Sequence, residues 1–143
     1  MKRLASLALG FQLAALPALA QHYSFSCVGA EKLEDGVFSI AFPRGSATIP
    51  ESARSPLAAA IEAALAEPDR NICILGHAGQ EGGATTSIQL AAQRARAVSN
   101  ALAERGIGSA RLRAEARSAQ FSPTIRAAEP PSRTVTIVLM PPQ

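Results

Sequence analysis

The chain has 143 residues, 48% of them hydrophobic and 4% aromatic, with 14 basic and 11 acidic side chains and a formal charge of +3. That length suits one domain with one sizeable core. The basic excess falls to +1 once Lys2 and Arg3 are set aside, and no basic stripe is interleaved with aromatics, so nucleic acid is excluded as a partner.

Lys2 and Arg3 begin a secretory pattern. Leu4 to Leu16 is an almost unbroken apolar run, Pro17 breaks it, and Ala18-Leu19-Ala20 is an A-x-A cleavage signal. The expectation is a signal peptide over residues 1–20, cleaved after Ala20, leaving an exported periplasmic chain. Two other readings stand beside it. An uncleaved anchor is one, although the run is short of the roughly 20 apolar residues that cross a bilayer. A lipoprotein acylated at Cys27 is the other, although Ser24-Phe25-Ser26 is a poor match to a Leu-small-small-Cys box. No stable transmembrane span is expected after cleavage. In an oxidising compartment the two cysteines, Cys27 and Cys73, suggest one disulfide; two buried free thiols are the alternative.

Residues 21–35 read as an N-terminal arm, extended or a short edge strand, anchored by Tyr23, Phe25 and Val28. The domain proper then spans 36–143. Phe38, Ile40 and Phe42 alternate with small residues, which predicts a strand with one buried face. Leu57, Ile61, Ala64 and Leu65 recur at helical spacing. That helix is capped by Thr48 with Pro50 following, or by Ser55 with Pro56 following, and it stops at Pro68. Ile72-Cys73-Ile74-Leu75 is a short apolar run ending at Gly76, a central strand covered on both faces.

A glycine loop follows (Gly79, Gly82, Gly83). A second helix runs from about Thr86 to Arg105 with a stripe of Ala91, Ala95, Val98 and Leu102, and Gly106 closes it as a left-handed cap. Leu112, Ala114 and Ala116 alternate with Arg113, Glu115 and Arg117, which reads as a strand with one wet face. Residues 119–132 read as a loop. Val135, Ile137 and Leu139 form the last strand. The order, strand-helix-strand-helix-strand-strand, predicts a two-layer α/β sandwich with helices on one face of a mixed sheet.

The most specific feature lies where the central strand meets the second helix. Gly76-His77-Ala78-Gly79-Gln80-Glu81-Gly82, then Leu90 and Arg94-Ala95, align without a gap to G-H-T-D-x-x-G followed by N-x-x-L-S-x-x-R-A. Ser132-Arg133-Thr134-Val135 is similar to the N-R-R-V that leads into that pattern's last strand. Over Phe38 to Leu139 the chain resembles the C-terminal peptidoglycan-binding domain of outer-membrane protein A, shared by peptidoglycan-associated lipoproteins and flagellar stator proteins.

The resemblance implies a βαβαββ fold, a place in the cell envelope near the outer membrane, and non-covalent binding of the cell-wall stem peptide. In that family a loop aspartate pairs with the ammonium of diaminopimelate, and the helix arginine forks onto its carboxylate. Carried over, Arg94 is the arginine, Gly79 stands at the aspartate position, Ser87 at the helix asparagine, and His77 and Arg133 border the site. An ammonium desolvated against Gly79 would find no anion. Glu81, two residues on, is the candidate replacement. The alternative for Arg94 is a structural role, paired with Glu81 or bonding loop carbonyls. The residues of His77 alone predict a hydrogen-bonded strand-end histidine.

Arg111, Arg113 and Arg117 read as a solvated face, or as an attractor of anionic wall polymers. No nucleophile–base pair, carboxylate pair or metal-ligand cluster stands out, so the expectation is a binding module, not an enzyme, without cofactor or metal. Its partner is a peptidoglycan stem peptide or, if wall recognition is lost, envelope proteins that it joins as an adaptor.

Overall fold

The structure, a computed structural model, describes residues 24–81, 84–118 and 131–143, together with Gly10. Apart from Gly10, the leader lies outside the described residues, as do residues 119–130 of the expected 119–132 loop. Eight regular elements follow in chain order: β1 (Val37–Ala41), α1 (Arg54–Ala66), β2 (Ile72–His77), β3 (Gly79–Glu81), β4 (Ala84–Thr86), α2 (Ile88–Glu104), β5 (Leu112–Arg117) and β6 (Thr134–Leu139). This is the expected sandwich with one addition. The glycine loop carries a small hairpin, β3–β4, which lacks the apolar alternation that would mark strands in the sequence.

The main sheet has the order β1-β6-β2-β5. β6 runs antiparallel between β1 and β2, pairing Ile40 with Val135 and Ile74 with Ile137. β5 lies parallel to β2, from Ile72 opposite Leu112 to His77 opposite Arg117. β2 is buried at all six positions, as its unbroken apolar run predicts.

One face of the sheet carries both helices. Ile40, Ile72, Ile74, Val135, Ile137 and Leu139 meet the helix stripes there, chiefly Ile61 from α1 and Ala95, Val98 and Leu102 from α2. Periodicity placed one residue of α1 wrongly: Leu65 is 52% exposed, and Ala60 takes the buried position. Neither expected cap is used. A 3-10 turn over Glu51–Ala53 runs directly into α1, so the chain is already helical at Arg54 and no side chain caps either element. Cap signals lose force where a preceding turn already supplies the first hydrogen bonds.

α2 follows its sequence signals. Ser87 accepts a bond from Leu90 N–H at 3.1 Å as N-cap. At the other end Ile107 N–H bonds to Leu102 O and Gly106 N–H to Ala103 O, with Gly106 at φ 96, a Schellman ending that drives Ile107 into the core. Gly76 permits the close approach of α2 to β2: a Cβ there would collide with the Ala91 carbonyl.

The opposite face is largely covered. Residues 24–35 lie across it as an irregular segment with a 3-10 turn at Ala30–Lys32, so the arm is neither an edge strand nor free of the domain. Phe25, Cys27 and Ala30 pack on Cys73, Leu75 and Val138 as a second core. Val28, expected as an anchor, is 84% exposed; Tyr23 lies outside the described residues. A disulfide joins Cys27 to Cys73 with Cα atoms 5.8 Å apart. It excludes the free-thiol reading, and with that thiol bonded Cys27 is not an acylation site in this fold.

The β5 arginines complete the cover. Arg113 Nη1 donates to Phe25 O and Arg117 Nη2 to Cys27 O, at 2.8 and 2.9 Å. Glu115 sits between the two guanidiniums and pairs with both. Arg111 points elsewhere and bonds the carbonyls of Ala64, Glu67 and Arg70 at the end of α1, where a cation also complements the helix dipole. The expected solvated arginine row is therefore a set of internal clamps.

Candidate functional site

Arg94 sits at one end of the sheet, between the turn after β1 and the turn before β6. Arg94 leaves α2 three turns before its end and is 1% exposed. Its guanidinium donates through Nε to Ser46 O at 2.7 Å, through Nη1 to Ser132 O at 3.1 Å and Thr86 Oγ1 at 3.3 Å, and through Nη2 to Pro43 O at 3.0 Å. Phe42 lies beneath it, with the ring centre 5.5 Å from Cζ. One planar fork thus ties together the turn after β1, the end of the β3–β4 hairpin and the turn before β6. Arginine suits this work because its five donors lie in one rigid plane and it keeps its charge when buried.

Two guanidiniums lie close together at this corner. Burial, and then the nearby Arg133 guanidinium, push the Arg94 pKa below its usual value. Among the described residues no carboxylate forms an ion pair with either arginine. Arg133 is partly exposed, and its backbone carbonyl receives Phe42 N–H at 2.8 Å. An anion approaching this rim meets two guanidiniums, one sealed in the frame and one open to solvent on part of its surface.

The other expected residues divide. Gly79 is paired with Thr86 across the hairpin, so the place of the expected aspartate is one strand from the Arg94 partner. Its φ of 157 favours glycine. Ser87 is next in line, but its hydroxyl serves the N-cap. Glu81 lies on β3; the expected replacement carboxylate falls outside the described side chains. His77 does not join the group. Gly76 faces α2, so the alternation of β2 turns His77 to the arm face, where Nε2 lies 2.8 Å from Thr136 Oγ1. Burial, and then the Arg117 charge, lower its pKa from 6.5 to about 4.

The loop carbonyls expected as one alternative do bond Arg94, but the sequence does not single out which four groups hold it. Three are backbone carbonyls, at Pro43, Ser46 and Ser132, which leave no mark on side-chain pattern. The fourth, Thr86, was placed in the helix instead of the hairpin.

The OmpA family model matches residues 41–134, about two thirds of the chain. The chain belongs to the OmpA family. Several solved structures share its fold. The peptidoglycan-associated lipoprotein from Burkholderia pseudomallei is 23% identical, with 72% of this chain and 90% of that one covered, at a TM-score of 0.58. The C-terminal domain of Helicobacter pylori MotB is 17% identical, covering 72% and 84%, at 0.56. The cell wall anchor of the T6SS from Pseudomonas aeruginosa is 22% identical, covering 73% and 80%, at 0.52. No curated protein matches the chain. Among the described residues, no helix of this OmpA-family chain is long and apolar enough to cross a membrane.

Proposed function

We propose that this chain is an exported, periplasmic cell-envelope module that associates non-covalently with peptidoglycan through carboxylates of the stem peptide. Family membership supports the class of partner, as do the fold neighbours, one named for peptidoglycan association and one for cell-wall anchoring. The carrying observation is the Arg94–Arg133 corner: two close guanidiniums without a carboxylate partner among the described residues, at the rim where the resemblance puts the ligand. With glycine at position 79 the corner offers an anion site without a partner for an ammonium. Arg94 holds the rim, and the partly exposed Arg133 meets the ligand.

A second reading has its own support. The saturation of Arg94 by internal carbonyls favours a retained scaffold serving as a protein–protein adaptor, without glycan binding.

Cosedimentation of the oxidised protein with purified cell-wall sacculi separates the two. Under the first reading the protein pellets, less so at high salt, and Arg133→Ala weakens pelleting by about tenfold, as loss of a charge-assisted bond requires. Arg94→Lys would lower the melting temperature as well, since an ammonium cannot reproduce the fork. Failure of the wild type to pellet, together with recovery in a folded Gly79→Asp variant, would establish the adaptor reading.

A further inference from the structure

The arm does more than cover the sheet. Between its 3-10 turn and the outer strand faces lies a cavity of about 210 Å³. Its walls are apolar: Leu33 from the arm, Val37 from β1, Leu75 from β2 and Val138 from β6. Few polar residues line it. His77 is 1% exposed, and its buried Nδ1 has no hydrogen-bond partner among the described residues. Glu31, on the arm's 3-10 turn, has a buried Oε2 with no hydrogen-bond partner among the described residues. Ser39 and Thr136 supply hydroxyls. Two unpaired polar atoms on residues lining one small cavity are unusual, because buried polar groups are nearly always hydrogen-bonded.

We infer that this cavity is a binding site for a small primary ammonium with a short aliphatic body, its head donating to Glu31 Oε2 and His77 Nδ1. The chemistry of the lining selects that class. Glu31 supplies a negative charge and an acceptor. In the His77 tautomer that this site requires, Nε2–H donates to Thr136 Oγ1, 2.8 Å away, so that the Nδ1 lone pair is the second acceptor. The imidazole stays neutral near pH 7, so it does not oppose a cation. An ammonium carries three donors, enough for the carboxylate, the imidazole and a hydroxyl. The volume equals about seven waters' share of liquid, room for an aliphatic body of about four to six carbons but not for a drug-sized ligand. Arg117, the other charge close to His77, is held by Glu115 and by Cys27 O.

The site is separate from the Arg94 corner. His77 and Glu31 lie on the arm face, whereas Arg94 leaves α2 on the helix face. Wall binding and amine binding can therefore fail independently.

The test is an NMR titration of the oxidised protein with n-butylammonium near pH 7, with n-butanol as the uncharged probe of equal body. Expected are saturable shifts confined to the His77 ring and the amides of residues 30–33 and 37–39. Ring nitrogen shifts should show Nε2–H as the tautomer. Butanol should bind about tenfold more weakly or worse, and Glu31→Gln should weaken butylammonium by a similar factor at an unchanged melting temperature. Equal affinity for the two probes would overturn the ammonium assignment. Absence of saturable shifts at millimolar probe would mean that the cavity holds water only, and would overturn the site.

Discussion

The two faces of the sheet are sealed by different physics. On the helix face the cover is apolar and continuous, built from stripes that repeat every three or four residues. On the arm face it is short and irregular. Twelve residues, 24–35, are held by one disulfide, a few apolar contacts and two arginine-to-carbonyl bonds that span 88 and 90 residues of sequence. The helix face would re-form after a single lost contact, because its core is large. The arm face depends on a few long-range ties, and the burial of His77 and of the Glu31 Oε2 atom lasts only while the arm is down. Regions with few apolar contacts open first, so the arm should be the low-stability unit of the fold.

Removing the disulfide tests that contrast most strongly. A bridge across 46 residues contributes about 4 kcal/mol on the loop-entropy model. A Cys27→Ala/Cys73→Ala variant should lose stability of that order in chemical denaturation. Hydrogen exchange should show residues 24–35 unprotected while β2 and β6 amides stay slow. Loss of protection across both faces together would mean that the two form one cooperative unit.

Acid titration probes the same face through His77. Its pKa is about 4 in the folded protein against 6.5 unfolded, so between those values the unfolded chain binds the extra proton. Stability from this group is complete above about pH 6.5, declines as pH falls, and is gone below about pH 4. The full span is on the order of 3 kcal/mol. His77→Gln should flatten that part of the stability curve. A wild-type curve already flat between pH 6.5 and 4 would show that the histidine is not sealed.

The same contrast explains what was legible. Strand alternation at Phe38–Phe42 and Val135–Leu139, the helix stripe at Ala91–Leu102 and the Gly106 ending were readable because the signal is local and periodic. The Arg94 motif was readable as spacing, but not as function. Nothing in the sequence announces that Pro43, Ser46 and Ser132 turn their carbonyls to one guanidinium. The β5 row was misread for a related reason. Alternating arginine looks like a solvent-facing strand, and only the arm's path over Arg113 and Arg117 makes it interior. His77 was expected beside Arg94 because the motif is contiguous, yet strand alternation sends neighbours to opposite faces.

The smallest expected effect joins the arm to the histidine. Arg117 donates to Cys27 O and also lowers the His77 pKa by its charge, after the larger effect of burial. Arg117→Gln removes the charge while keeping a donor, so the arm should stay seated at a cost of about 1 kcal/mol. The His77 pKa should then rise, by less than burial alone displaces it, and the lower edge of the acid window should move up with it. NMR titration of the ring in the variant reads this directly. A rise nearly to the unfolded value would mean that the arm had lifted and water had reached the imidazole, making the arginine the latch of this face; a small rise with protection intact assigns that part to the disulfide and leaves Arg117 an electrostatic role.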